Sequence, residues 1–211
     1  MKARDVMSRG IMHLMRKTPF YSTIVVKQNI VEDENLEAPM ATNGKEILYN
    51  PKQIVHLSNK VIFEILKHEA MHITNKHHIR MRVIKPKYKN ICKELDIDFH
   101  KTFNVAADLA INSLLVHVDN HGLWNDETLL SSGCIPNRIP FIDYEKEQSA
   151  EFYMDKIIKD LKAQPNDKSR KERAEEIGIN SNSKGMLMEA EGDLNEAEAK
   201  ANAEIASASV M

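Results

Sequence analysis

The fold is decided by the stretch Val61-Ile-Phe-Glu-Ile-Leu-Lys-His-Glu-Ala-Met-His-Ile73, which contains the pentapeptide His68-Glu69-Ala70-Met71-His72. The stretch is rich in apolar residues and contains neither proline nor glycine. It therefore predicts a helix over about residues 59–82. Residues four apart on a helix share a face, so the imidazoles of His68 and His72 can reach one metal ion. Glu69 projects beside them, where a carboxylate can take a proton from water. The stretch therefore predicts a metal site, although it does not identify a substrate.

The overall composition is that of a soluble globular protein, with 42% hydrophobic and 28% charged residues. A formal net charge of -2 argues against a general nucleic-acid or membrane-surface binder. No apolar run approaches the roughly 20 residues that a membrane span needs, and the N-terminus lacks the apolar core of a secretory signal. The two cysteines, Cys92 and Cys134, form no C-x-x-C pair, so a reducing cytoplasm is the expected location.

Local patterns predict an α+β fold that is mostly helical with a small sheet. Besides the motif helix, the predicted helices are residues 3–17, a short segment from Asn50-Pro51 to about Leu57, residues 99–118 and residues 148–162. The predicted strands are Tyr21–Lys27 and Lys45–Tyr49, the second following a turn at Asn43-Gly44. The acidic segment Glu32–Pro39 and the stretch 119–146 are expected to be loops.

The chain is expected to divide after residue 163, where its composition changes. Residues 1–163 form the predicted metal-binding domain. Residues 164–211 begin with a polar and charged segment, predicted to be a flexible linker, and end in an Ala- and Glu-rich stretch that could form a helix. Such a tail, with few large apolar residues, is expected to pack weakly or to bind a partner.

Two residues compete as the third protein ligand that a catalytic zinc ion usually requires. Asp108 lies between Asn104 and Asn112 at intervals of four in an otherwise apolar helix, where a partly buried carboxylate needs a cation or hydrogen bonds. His78 follows His72 by the spacing found in metzincins, with an asparagine at their glycine position. A continuing helix would rotate His78 away from the motif face, so Asp108 is preferred. His77 and His78 are expected to pack at the helix end or to support the ligands.

Four motifs in order carry a resemblance to a known family: Ala41-Thr-Asn-Gly-Lys-x-x-Leu-Tyr-Asn-Pro51, His68-Glu-Ala-Met-His-x4-His-His-x-Arg80, Asn104-x-Ala-Ala-Asp-x-x-Ile-Asn112 and Ser149-Ala-Glu-Phe-Tyr153. Over roughly residues 5–160 the chain resembles the metallopeptidase-type domain found upstream of von Willebrand A-like domains, a zincin. The resemblance implies a zincin-like fold with an active-site helix and a second ligand-bearing helix. It implies His68, His72 and Asp108 as zinc ligands and Glu69 as the catalytic base.

The same resemblance carries expectations about substrate and partners. In such zincins the strand before the motif helix is an edge strand along which an extended substrate pairs, here Glu46–Tyr49. Relatives associated with MoxR-type ATPases make an AAA-type ATPase a possible partner. The chain departs from the family pattern in residues 164–211, which are too short and too helical for a von Willebrand A-like domain.

The predicted function is hydrolysis of a peptide or protein substrate by a zinc-activated water, with Glu69 as general base. Four side chains are open candidates for stabilising the oxyanion: Tyr49, His117, His121 and Tyr153. The alternative is a metal-stabilised adaptor with little or no activity that works with an ATPase or another protein. A zincin acting on itself or on DNA-bound proteins is a third reading, weakened by the lack of a strongly basic domain.

Overall fold

A computed structural model of the chain describes residues 2–118 and 134–179. It contains eight helices and three strands within these ranges, in the order α1 (Ala3–Lys17), α2 (Pro19–Val25), β1 (Asn29–Glu32), β2 (Met40–Thr42), β3 (Glu46–Tyr49), α3 (Pro51–Ile54), α4 (Asn59–Thr74), α5 (His77–Glu94), α6 (Phe99–Val118), α7 (Ala150–Lys162) and α8 (Asp167–Glu176). The predicted α+β class is confirmed. The predicted tail helix and residues 119–133 of the predicted loop lie outside the described residues. Two compact units divide the chain, one up to Lys87 and one from Tyr88.

In the first unit the motif helix α4 packs against α1 and α2. It begins at Ser58, whose side chain accepts a hydrogen bond from the backbone N–H of Val61 and so caps the helix. On its apolar face, Ile62 and Leu66 are fully buried. Gly10 of α1 lies directly against these two side chains, so that α1 can approach α4 closely. The packing fixes which face of α4 points into the protein.

The sheet has the order β1-β3-β2, with β3 in the centre. β1 pairs with β3 in parallel, and β2 pairs with β3 antiparallel. The prediction that Glu46–Tyr49 is an edge strand is therefore wrong, because both of its sides are already paired. The two edges of this sheet are β1 and β2.

The segment Tyr21–Lys27, predicted as a strand, is mostly helical, so this prediction is also wrong. Pro19 occupies the first turn of α2, where its missing N–H is not needed. The side chains of Ser22 and Thr23 both donate to the carbonyl of Pro19, at 2.8 Å each. Since α2 packs on α1 and α4, tertiary contacts outweigh the β propensity of this segment. The strand forms later, at Asn29–Glu32.

The predicted turn at Asn43-Gly44 is confirmed and connects β2 to β3. The side chain of Asn43 accepts from the backbone N–H groups of Lys45 and Glu46 at 3.0 and 2.9 Å. Gly44 has a φ of 87°, in the left-handed region that suits glycine. Asn50 then caps α3 by accepting from the N–H of Lys52, as predicted, although α3 ends at Ile54 and does not reach Leu57.

The motif helix is shorter than predicted, because the chain turns at Asn75 and Lys76. Lys76 has a φ of 54°, so the backbone there is left-handed and the helix cannot continue. A new helix, α5, begins at His77. The predicted single helix over 59–82 is therefore wrong. Neither glycine nor proline marks the break, which explains why the pattern of the sequence did not reveal it.

In the second unit, α6 has the predicted bounds and packs against α7. Ser149 caps α7 by accepting from the N–H of Phe152 at 3.2 Å. The polar segment predicted as a linker contains α8, which packs on α7. Ile177 and Ile179, just after α8, are buried. The domain boundary after residue 163 remains a prediction. No helix within the described residues has the length and apolarity that crossing a bilayer requires.

Candidate metal centre

His68 and His72 lie on one buried face of α4, as their spacing predicts. Their Nε2 atoms face each other at 2.9 Å, and the ring centroids are 4.6 Å apart. The residues are 6% and 0% exposed, so bulk water does not separate the two nitrogens. Facing lone pairs repel, so an imidazole pair this close needs a proton or a cation between its nitrogens. The pair is therefore suited to binding a metal ion.

Glu69, the acidic residue of the motif, is completely buried in the interior beside α4. A carboxylate is buried only where hydrogen bonds or a cation compensate for its lost hydration. Its burial therefore places an ionisable oxygen pair in a region of low dielectric, where a charge acts strongly on its neighbours. This is the setting in which a carboxylate can act as a general base.

A buried charge pair lies about one turn before Glu69 in α4 and was not anticipated from the sequence. Lys67 Nζ is 3.6 Å from Glu64 Oε2, and both side chains are at most 1% exposed. The ammonium also lies 5.4 Å from the ring centroid of Phe63 and 5.8 Å from that of Tyr21. The sequence does contain a signal for this ion pair, since two opposite charges lie three residues apart in a helix that is otherwise largely apolar. Removing one partner of such a buried pair strongly destabilises the protein, because the other charge is left uncompensated.

Asp108 is half-buried in the middle of α6, within the predicted row of polar residues. Asn104 donates to Asp108 Oδ2 at 3.4 Å, one turn before it. Asn112, one turn after it, donates to the carbonyl of Cys134 at 3.0 Å. Burial raises the pKa of the Cys134 thiol, and the negative charge of Asp108 raises it further. Cys134 is therefore a neutral thiol next to a carboxylate.

Among the described residues, His68, His72 and Asp108 form a group of potential metal ligands. Each offers one ligand atom, and these atoms all lie within 4.8 Å of one another. Two imidazole nitrogens and one carboxylate oxygen are a donor set found in zinc sites. The group could thus hold a metal ion.

The two histidines that open α5 have different environments. His77 Nδ1 lies 3.2 Å from Nδ1 of His72, on the side of that ring away from His68. The ring of His78 instead packs directly over Gly44. Burial lowers the pKa of His78 to about 4, with a further contribution from the charge of His72. His78, the second choice for the third ligand, is not a member of the potential ligand group among the described residues.

Of the four candidates for oxyanion stabilisation, two have their hydroxyls engaged in the fold. Tyr49 donates to Glu32 Oε1 at 2.6 Å, and burial together with this bond raises the pKa of its phenol well above the usual value. Tyr153 donates to the carbonyl of Glu145 at 2.6 Å. The side chain of His117, and the whole of His121, lie outside the described residues.

A His-Glu-x-x-His motif on a helix is a pattern typical of metallopeptidases, and here it lies beside a third potential metal ligand. The chain belongs to the family described as "Putative metallopeptidase domain", whose model matches residues 4–210. This confirms the family resemblance and extends it through the C-terminal part. Over 168 residues the chain is 24% identical to an uncharacterized protein of Thermotoga maritima, a match that covers 76% of this chain and 39% of that protein. The chain thus spans about two fifths of the length of this relative. No solved structure matches the chain.

Proposed function

We propose that the protein is a zinc-dependent peptidase in which His68, His72 and Asp108 hold the metal and Glu69 is the general base. The observation that carries this proposal is the pair of Nε2 atoms facing each other at 2.9 Å on a buried helix. Asp108 belongs to the same group of potential ligands, and its carboxylate would be the third donor. Three protein ligands are the usual number for a catalytic zinc ion, since the fourth position is kept for water or substrate.

The residues fit zinc better than a harder cation, because imidazole nitrogen is a poor ligand for magnesium or calcium. When bound, zinc would polarise the carbonyl of the scissile bond and lower the pKa of water toward about 7. Glu69 takes the proton from the attacking water and later delivers it to the leaving amine. Because Glu69 is fully buried, it is not solvated by bulk water while it carries out these transfers.

The first test is the zinc content per chain, measured by elemental analysis. The wild type should hold about one zinc ion, and Asp108→Asn should lose most of it while preserving the shape of the side chain. Asp98→Asn, at the residue just before α6, is the matched control, because an asparagine can still accept the hydrogen bond that Asp98 receives from the N–H of Lys101. A wild type that cannot be loaded with zinc would overturn the proposal.

The second test separates metal binding from catalysis. Glu69→Gln should retain zinc but cleave an unfolded protein substrate about 10²- to 10⁴-fold more slowly than the wild type, because only the proton acceptor is lost. Equal cleavage by the two proteins would exclude Glu69 as the base. Zinc binding by a wild type that cleaves nothing would favour the metal-stabilised binding protein over the enzyme.

A further inference from the structure

His72 is contacted by another imidazole on each of its two ring nitrogens. Its Nε2 faces Nε2 of His68 at 2.9 Å, and its Nδ1 faces Nδ1 of His77 at 3.2 Å. The rings of His72 and His77 are inclined by 74°, with centroids 5.2 Å apart. Both residues are buried, at 0% and 3% exposure. At this distance and depth the Nδ1 atoms are within hydrogen-bond range of each other, so one donates and the other accepts.

The proposed function determines which nitrogen donates, and the following inference rests on it. An imidazole that binds a metal through Nε2 has no proton there, so a neutral His72 carries its proton on Nδ1. That N–H must donate to Nδ1 of His77, which therefore carries its own proton on Nε2. We propose that His77 is a positioning residue, which fixes the tautomer and the ring orientation of His72 for metal binding. Hydrogen-bond acceptors behind a metal-binding histidine also make it a better ligand.

The turn between α4 and α5 is what allows this contact. In a continuous helix, a residue five positions on is rotated about 140° away from the first, so His77 could not face His72. The left-handed backbone at Lys76, with a φ of 54°, brings His77 back to the ligand. His78 goes in another direction and packs over Gly44. Only one of these adjacent histidines therefore contacts a ligand ring through a ring nitrogen.

A buried ring can also serve only to fill space, and two variants of the same shape separate the two roles. Asparagine and leucine branch at the same carbon, but only asparagine carries an acceptor oxygen where the histidine has Nδ1. His77→Asn therefore keeps the acceptor that His72 needs, and His77→Leu removes it. A role in packing alone would favour leucine in this buried position.

The experiment measures the zinc affinity of the metal-free full chain by competition with a chelating dye, together with the Tm of each metal-free variant. His77→Leu should weaken zinc binding by about 10- to 100-fold, while His77→Asn stays within a few-fold of the wild type. Affinities that are equal in the two variants, or that follow the metal-free Tm, would overturn the positioning role. A wild type that binds no zinc would overturn the proposed function and this role with it.

A second measurement needs no variant. Long-range ¹H–¹⁵N spectra of the zinc-loaded wild type report which ring nitrogen of a histidine carries the proton. The expected pattern is a proton on Nδ1 of His72 and on Nε2 of His77. A proton on Nδ1 of a neutral His77 would contradict the assignment, because the two donors would then face each other.

Discussion

Gly44 illustrates how a single residue can connect the sheet to the histidines of α5. Its φ of 87° is strained for any residue with a side chain, and its missing side chain leaves space for the ring of His78. His78 is only 8% exposed, so its ring has little freedom to move aside. The turn residues Asn43 and Gly44 therefore shape a hairpin and also support the start of α5.

Gly44→Ala should lower the free energy of unfolding in urea by about 2–5 kcal/mol. The left-handed backbone accounts for about 1–2 kcal/mol and the clash with His78 for about 1–3 kcal/mol more. Gly178→Ala is the control, because Gly178 has a similar φ of 80° but, among the residues that the structure describes, no atom beyond its chain neighbours lies within 4 Å of the added carbon. The free energy of unfolding of Gly178→Ala should fall only by the backbone contribution. Similar losses in both variants would show that His78 does not restrict this position.

Single residues also show what a sequence can and cannot predict about a site. The shared face of His68 and His72 follows from helix geometry alone, since both lie within one turn of the same element. The spacing of Glu64 and Lys67 is an equally local signal for an ion pair, but the burial of the pair depends on the helices packed around α4. The contact of His77 with His72 depends on one left-handed residue between them, and no rule of composition identifies Lys76 as that residue.

Among the helices, the boundary between α4 and α5 determines where the histidines lie. Asn75 and Lys76 still donate to the carbonyls of Met71 and Ile73, at 2.9 and 3.0 Å, so the end of α4 is closed by its own backbone. The N–H of Arg80 then donates to the carbonyl of Lys76 at 2.9 Å as α5 begins. The break is therefore a compact turn stabilised on both sides.

Because Lys76 has a left-handed backbone, Lys76→Gly should be more stable than Lys76→Ala by about 1 kcal/mol. Both variants lose the same side chain beyond Cβ, and only alanine is strained at a positive φ. At Lys89, an exposed residue inside α5, the alanine variant should instead be more stable than the glycine variant by about 1 kcal/mol. Urea unfolding of the four variants provides the comparison. If alanine were the more stable residue at position 76, the two helices would be continuous.

The elements that the sequence predicted correctly are those with strong local signals. Helix α6 has a long apolar pattern without glycine or proline, and the turn before β3 has an Asn-Gly pair. Segments whose structure depends on distant contacts were predicted wrongly. Tyr21–Lys27 has high β propensity but is mostly helical because it packs on α1 and α4. The central position of β3 depends on its pairing with both β1 and β2, which no local pattern in the sequence specifies.

Considered as a whole, the chain shows a clear sequence change near residue 163 that its packing does not follow. Arg173 of α8 donates to Asp160 of α7 at 2.8 and 2.9 Å, and to the carbonyl of Pro140 at 2.8 Å. Ile177 and Ile179 are 2% and 0% exposed. A polar composition predicts a solvated segment, yet a few buried contacts are enough to hold such a helix in place.

A chain ending at residue 163 should therefore be less stable than one ending at residue 180. Burying an isoleucine is worth about 1.5–3 kcal/mol, so losing both should lower the free energy of unfolding by about 3–6 kcal/mol. Losing the bonds of Arg173 adds about 1–3 kcal/mol, for a total of about 4–9 kcal/mol. Urea unfolding followed by circular dichroism measures this difference, with the full chain as the reference. Arg173→Met in the full chain tests the polar contacts separately and should account for about 1–3 kcal/mol of it. If the two shortened chains unfold at the same urea concentration, α8 contributes nothing and the domain ends at residue 163, as the composition predicts.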